Sequence, residues 1–304
     1  MKSWRILAFG EVLWDLLPAG ETFGGAPANL AGQAALLGLD VALLSAVGCD
    51  LRGAAAIASL QQSGVRTDLI QTTPEFPTGT VGVSLDSAGK PMFEIHSGSA
   101  WDAISWSDAA LQFLQTADAL CFGTLSQRDE RSRSTLRRLL SVESARPVLR
   151  VLDVNLRQPF FSAELIRESL AAADVLKLSD EELPVVAQAA GLSVQQSPEV
   201  LLKELRARYN FRMVAMTCGA AGATLVTSDT LIQQPGVSVS VVDTIGAGDA
   251  FTAAMLRGLL QGDDPATIAA AACSHAARSC THAGALPVTN HKRGHSTFPH
   301  ITQD

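Results

Sequence analysis

The chain has 304 residues, 47 % hydrophobic and only 17 % charged, and its 23 Lys and Arg against 30 Asp and Glu leave a formal charge of −7. That profile excludes a disordered chain, which combines low hydrophobicity with high charge, and a collagen or coiled-coil rod. The sequence pI of about 5.4 argues against a dedicated nucleic-acid binder, which presents a basic face.

The N-terminal MKSWRILAFGE reaches an acid at Glu11 before any long apolar region forms, so no signal peptide is expected. Ile6–Phe9 is a short apolar strand ending at Gly10. Asp15 follows it, and then Gly24-Gly25-Ala26-Pro27-Ala28-Asn29 opens an Ala-rich helix from Pro27 to Leu37, stopped by Gly38. Asp15 and Asn29 beside glycine backbone suit a polyol, whose hydroxyls each donate and accept; a turn followed by a capped helix is the simpler alternative. The stretch from Leu30 to Gly48 is too interrupted by Gln33, Asp40 and glycines to span a membrane. Val41–Val47 is a buried-strand run, and Asp50 is placed to cap the helix that follows, up to Gly64.

Thr80–Leu85 and Met92–His96 alternate apolar and polar residues around the turn Asp86–Gly89, which makes a β-hairpin projecting from the main sheet. It is either a decorative insertion or a lid over a ligand. Ala119–Phe122, Val148–Leu152 and Val175–Leu178 are further strands, separated by helical segments. Asp153-Val154-Asn155-Leu156-Arg157 follows the second of these, where ligand groups gather in open α/β sheets, and Arg157 offers a planar cation for phosphate oxygens. Lys177 lies in the third. After it, Ser179 and Glu182 form either a capping box or the start of a magnesium shell. Thr217-Cys218-Gly219-Ala220-Ala221-Gly222 is a glycine turn between two strands, either a plain hairpin or a nucleotide-facing loop.

The sharpest motif is Asp243-Thr244-Ile245-Gly246-Ala247-Gly248-Asp249, between an expected strand Val239–Val242 and an expected helix Ala250–Leu260. Gly246 and Gly248 let the backbone approach a ligand, and the amides that follow lie at a helix N-terminus, a ready anion site. Asp249 is either a helix-end carboxylate stabilised by the dipole or a base for an attacking hydroxyl. Phosphoryl transfer needs both the cradle and the base. The loop fits neither a Walker A sequence nor G-x-G-x-x-G. From about Pro287 the chain is polar, and His291, His295 and His300 suggest a frayed tail rather than a metal site. Five cysteines, Cys49, Cys121, Cys218, Cys273 and Cys280, show neither zinc nor disulfide spacing and are expected as buried thiols in a cytoplasmic compartment. Apolar strands divided by helices predict a doubly wound α/β fold: a mostly parallel sheet with helices on both faces.

Taken together, the two glycine motifs in this order resemble the ribokinase-type, or PfkB, carbohydrate kinases over roughly residues 4–287. Gly10–Pro18, Ala100-Trp101-Asp102 and Asp153–Phe160 are most similar to the fructokinase branch. The resemblance implies a single ribokinase-like domain over residues 1–304, with a small β-sheet lid from about 11–23 and 76–104. It implies ATP, Mg2+ and K+ as cofactors, transfer to a primary hydroxyl, and D-fructose as acceptor ahead of ribose, a nucleoside or 2-keto-3-deoxygluconate. The last is disfavoured because residues 80–100 hold no Arg or Tyr, only Lys90 and His96. A sensor that binds without catalysis is the rival class, against which the presence of Asp249 argues.

By the same resemblance Asp249 is the base, the amides of Gly246, Ala247 and Gly248 form the anion hole, and Arg157 steadies the transferred group. Asp15, Gly25, Asn29, Phe93 and Asn155 hold the sugar. Lys177, Thr217, Gly219, Gly222 and Cys273 line the nucleotide site. Glu182 acts on magnesium through water, and Asp243 and Gly284 mark the loops of a monovalent cation. Two departures stand out: Ser179 occupies the first position of the family's N-x-x-E, and Cys273 stands where an Asn often faces adenine. A homodimer through the lid is expected, and neither nucleic acid nor a membrane is expected as a partner.

Overall fold

The structure is a computed structural model that describes residues 4–17, 20–85 and 91–287, the side chains of 83–85 and 91–93 lying outside that description. Asp86–Gly89, Lys90, the Phe93 side chain and the three histidines of the tail therefore lie outside the described part.

In chain order the first elements are β1 (Arg5–Phe9), β2 (Leu13–Leu17), β3 (Gly20–Gly24), α1 (Ala26–Leu36), β4 (Asp40–Gly48) and α2 (Leu51–Gln62). Next come β5 (Ile70–Thr73), β6 (Gly79–Leu85), β7 (Pro91–Ile95), α3 (Asp108–Leu114), β8 (Ala119–Phe122), α4 (Glu130–Leu140), β9 (Leu149–Asp153) and α5 (Ala163–Ala172). The chain continues with β10 (Val175–Ser179), α6 (Leu183–Ala189), α7 (Pro198–Tyr209), β11 (Met213–Thr217), β12 (Gly222–Val226), β13 (Leu231–Pro235), α8 (Ala247–Gln261) and α9 (Pro265–Ser279).

Nine strands form one sheet in the order β13-β12-β11-β10-β9-β8-β1-β4-β5, parallel from β11 to β5, with β12 and β13 running antiparallel at one edge. The central strand shows why both faces are covered. In β1, Leu7 and Phe9 pack into the layer of α3–α7, while Ile6 and Ala8 pack into the layer of α1, α2, α8 and α9. All four have no exposed surface, so the strand reads as one apolar run rather than an alternation. Chain order reverses about β1, which pairs with β4 on one side and β8 on the other, and the space beyond the C-terminal ends of these strands is the switch-point crevice.

A second, four-stranded sheet has the order β3-β2-β6-β7. The expected hairpin is there, with Val81 opposite Ile95 and Val83 opposite Phe93. It is joined by β2 and β3, and β2 runs parallel to β6. This sheet is tied to α2 by Trp14 Nε1, which donates to Arg52 O at 3.1 Å, and by the Arg52–Glu21 ion pair at 2.6 Å.

Three expectations need correction. Val239–Val242 forms no strand; the sheet already ends at β13, and Val241 and Val242 are 61 % and 63 % exposed. The helix after the motif begins at Ala247 rather than Ala250, because Gly246 adopts φ +76° and serves as its N-cap. Cys49 is exposed and Cys218 and Cys280 only half-buried rather than buried, although all five cysteines are free thiols. The Asp50 cap is made as read, its Oδ1 accepting from Gly53 N at 2.7 Å. No helix among the described residues is long and apolar enough to cross a membrane.

Candidate active site

α1 starts hard against the segment after β1. Gly25 has φ +110°, and a Cβ there would lie 2.5 Å from Glu11 O, so only glycine allows this approach. Pro27 fits the first turn, and Asn29 is carried inward, 5 % exposed. Asn29 Nδ2 donates to Asp249 Oδ2 at 2.9 Å. Its Oδ1 is buried and unpartnered, an acceptor aimed where a hydroxyl could donate. Asp249 lies in the first turn of α8. Burial, then the Asp153 carboxylate, push its pKa up to about 7 against the Asn29 bond and Lys177, and Glu11 adds to the rise. Of the cradle amides, that of Ala247 donates to Thr244 O at 3.2 Å, closing the turn that leads into the helix.

Beneath Asp249, Asp153 ends β9 and is held on both oxygens. Lys177 Nζ donates to Oδ1 at 3.1 Å and Thr252 Oγ1 to Oδ2 at 2.8 Å. Burial opposes the Lys177 charge, but Asp153, Glu182 and Asp249 together hold its pKa above the usual lysine value. The same Nζ lies 3.1 Å from where a Cβ on Gly248 would be, so a side chain there would crowd the ammonium. Lys177→Met leaves a buried carboxylate with Thr252 as its remaining donor. The expected loss is about 3–5 kcal/mol of folding free energy, read from urea unfolding of the purified variant. An unchanged midpoint would contradict it.

The loop after β9 turns sharply at Asn155, whose φ is +43°. Leu156 N donates to Glu182 Oε1 at 2.7 Å, while Ser179 N donates to Glu182 Oε2 at 2.8 Å and Glu182 N to Ser179 Oγ at 3.2 Å. The reciprocal bonds of a capping box are thus made, but across the turn ahead of α6, whose own N-cap is Glu182, and the carboxylate also fastens the loop that carries Arg157. Each oxygen retains a lone pair, which suits contact with a hydrated cation. Arg157 is exposed, and its charge opposes the rise in pKa that burial causes at both Asp15 and Glu11. Among the described residues no group of three His, Cys, Asp or Glu is arranged to hold a metal. Asp243 Oδ1 accepts from Ile245 N at 3.0 Å and Oδ2 from Gly284 N at 2.9 Å, so the two loops named for a monovalent cation are joined directly.

A long cleft opens on the other side of the cradle. It is lined by Thr217, Gly219, Gly222 and Cys273 together with Ala247 and Gly248, and by Val239 and Val241 from the expected strand. The glycine turn is thus a hairpin between β11 and β12 and also a cleft wall. The opposite cavity joins Asp249, Asp153, Asn155 and Thr252 to Glu11, with Gly123 and Leu125 after β8. Glu11, Thr252 and the turn after β8 were missed in sequence. Glu11 directly follows the strand at the switch point, which was the available clue; Thr252 is one helical turn from Asp249.

A glycine-bounded start of α8 with a buried carboxylate in its first turn, between a cavity on one side and a cleft on the other, suits a phosphotransferase acting on a hydroxyl. The pfkB family carbohydrate kinase profile matches residues 18–292, and the chain belongs to that family of sugar kinases. It is 31 % identical to a fructokinase of Klebsiella pneumoniae, over 94 % of this chain and 93 % of that one. The fold is similar to a sugar kinase of Pyrococcus horikoshii in complex with ATP, at 30 % identity and a TM-score of 0.77, covering 92 % of this chain and 93 % of that one. It is also similar to a fructokinase of Vibrio cholerae, a double mutant bound to fructose, ADP and potassium ion, at 27 % identity and a TM-score of 0.79, covering 93 % and 94 %.

Proposed function

We propose that the protein transfers the γ-phosphoryl group of ATP to the O6 hydroxyl of D-fructose. The observation that carries this reading is the Asn29–Asp249 bond at 2.9 Å, with Asn29 Oδ1 left free, at the N-terminus of α8. Asn29 holds a sugar hydroxyl, Asp249 takes the proton of the attacking one, and the Gly246–Gly248 cradle receives the phosphoryl group. Arg157 steadies that group from the β9 side. Asp15, Gly25, Phe93 and Asn155 hold the rest of the sugar. Lys177 faces the nucleotide phosphates, and Thr217, Gly219, Gly222 and Cys273 line the nucleotide cleft. Magnesium bound to the nucleotide would neutralise phosphate charge near Glu182, and potassium would sit by Asp243 and Gly284. The chain acts as one domain in the cytoplasm, with the small sheet as lid and a homodimer formed through it. The fructokinase relatives support fructose, as does the absence of Arg and Tyr from residues 80–100.

A coupled ADP-release assay with ATP, magnesium and potassium tests the reading across fructose, ribose, a nucleoside and 2-keto-3-deoxygluconate. Turnover of ribose or a nucleoside without fructose would overturn the fructose assignment. The pH dependence is a second check. A base that titrates at about 7 is protonated and idle below that value, so kcat/KM should fall about tenfold per pH unit on the acid side and level off above. A flat profile from pH about 5.5 to 8 would count against Asp249 as the base.

A further inference from the structure

Gln33 is buried in α1, 2 % exposed, one helical turn after Asn29 and therefore on the same face of that helix. An amide so placed is costly unless it is bonded, and an apolar side chain of its size would avoid the cost. Its bonds show what it supplies. Nε2 donates to Ala285 O at 2.6 Å, and Oε1 meets His275 Nε2 at 2.8 Å. A carbonyl can only accept, so the amide nitrogen faces Ala285, and the imidazole carries a proton on Nε2 to donate to the amide oxygen. Gln33 thus joins α1 to α9 and to the loop that follows α9. Just before it, Gly32 has no Cβ to obstruct Leu286, whose methyl carbons lie 2.6 Å from where one would be. α1 therefore lies against this loop at two successive residues.

The loop in turn backs the start of α8. Gly246, the N-cap, has φ +76° and no side-chain bond to hold the cap, whereas Asp50 and Asp264 cap α2 and α9 by accepting from backbone N–H groups. What stands against Gly246 is Ala285, whose Cα is 2.8 Å from where a Cβ on that glycine would lie. We propose that Gln33 is a positioning residue for phosphoryl transfer. Its amide pins the Ala285 carbonyl, Ala285 backs Gly246, and α1 so fixes the anion cradle with the same face that brings Asn29 to Asp249. The inference rests on the cradle receiving the phosphoryl group, as proposed above. No bond is made or broken at Gln33 during transfer; it acts only through the loop.

Gln33→Met keeps the length of the side chain and removes the donor. In this variant kcat should fall about tenfold, the scale on which small misplacements of a reacting group are felt, with the sugar KM within about twofold of wild type. The readout that a merely structural amide would not move is local. The amides of Ala247 and Ala250 donate to Thr244 O and Gly246 O at the start of α8. Their hydrogen exchange should quicken about tenfold, while that of Leu256–Gln261 at the other end of the helix stays at the wild-type rate. Unchanged exchange at Ala247 and Ala250, or a rise shared along the whole of α8, overturns the proposal. So does a wild-type kcat in an enzyme whose transfer Gly246→Ala impairs. Should Gln33→Met not fold, His275→Phe removes the donor that orients the amide, and a smaller rise, about threefold, is expected at the same two amides; its absence overturns the proposal equally. If Gly246→Ala retains full transfer, the assignment of the cradle fails instead, and the exchange measurement still decides whether Gln33 holds the start of α8.

Discussion

Asp249→Asn should lower kcat for phosphoryl transfer by about 10²–10⁴-fold while leaving sugar affinity within a few-fold of wild type. The substitution is nearly isosteric, and the new Asn Oδ1 can still accept the bond that Asn29 Nδ2 makes at 2.9 Å. The sugar side of the site keeps its shape and loses only its proton acceptor. The fold should not suffer, because a carboxylate whose burial pushes its pKa up to about 7 is itself costly to keep ionised there. Single-turnover kinetics and calorimetric sugar binding measured side by side are the check. A sensor that binds without catalysis predicts no transfer from the wild type and equal binding by both proteins. A variant that transfers at wild-type rate would require another base, and no other carboxylate shares both the Asn29 contact and the first turn of α8.

The parts of this site legible in sequence are those where backbone geometry dictates residue type. Gly25 and Gly246 have left-handed φ and a neighbour too close for a Cβ, so glycine there leaves a mark in the letters. The parallel sheet was legible because strands buried on both faces read as uninterrupted apolar runs such as Ile6–Phe9. The same rule misled at Val239–Val242, where an apolar run lines a cleft instead of pairing, and exposure cannot be read from hydrophobicity alone. Glu11 was missed for the opposite reason. A lone acid carries no pattern, and its meaning comes from Asp249, which lies far along the chain and meets it only through the fold. The charge of −7 gains meaning in the same way. An acidic chain can draw a polyphosphate only by local groups, and the proposed reading gives that task to the N-terminus of α8, Lys177 and Arg157.

Gly246→Ala should lower kcat by about 10²–10³-fold, the usual effect of losing an oxyanion donor, with a smaller change in sugar KM. Gly246 adopts φ +76°, and its missing Cβ would press into Ala285, 2.8 Å from that residue's Cα. Ala285 has little freedom to retreat. Its carbonyl accepts from Gln33 Nε2 at 2.6 Å, and because that amide end is the donor, Gln33 Oε1 accepts from His275 Nε2 at 2.8 Å. The preceding residue is tied as well, Gly284 N donating to Asp243. The start of α8 must therefore yield, and with it the amides proposed to receive the phosphoryl group. Gly262→Ala is the matched control. Gly262 caps the far end of the same helix at φ +78°, with nothing within 4 Å of a new Cβ. Backbone strain of about 1–2 kcal/mol is common to both substitutions. Gly262→Ala should lower the melting temperature by a few degrees and Gly246→Ala by more, because of the added clash with Ala285, and only the change at Gly246 should lower phosphoryl transfer. Equal activity in the two variants would mean that the cradle does not hold the transferred group.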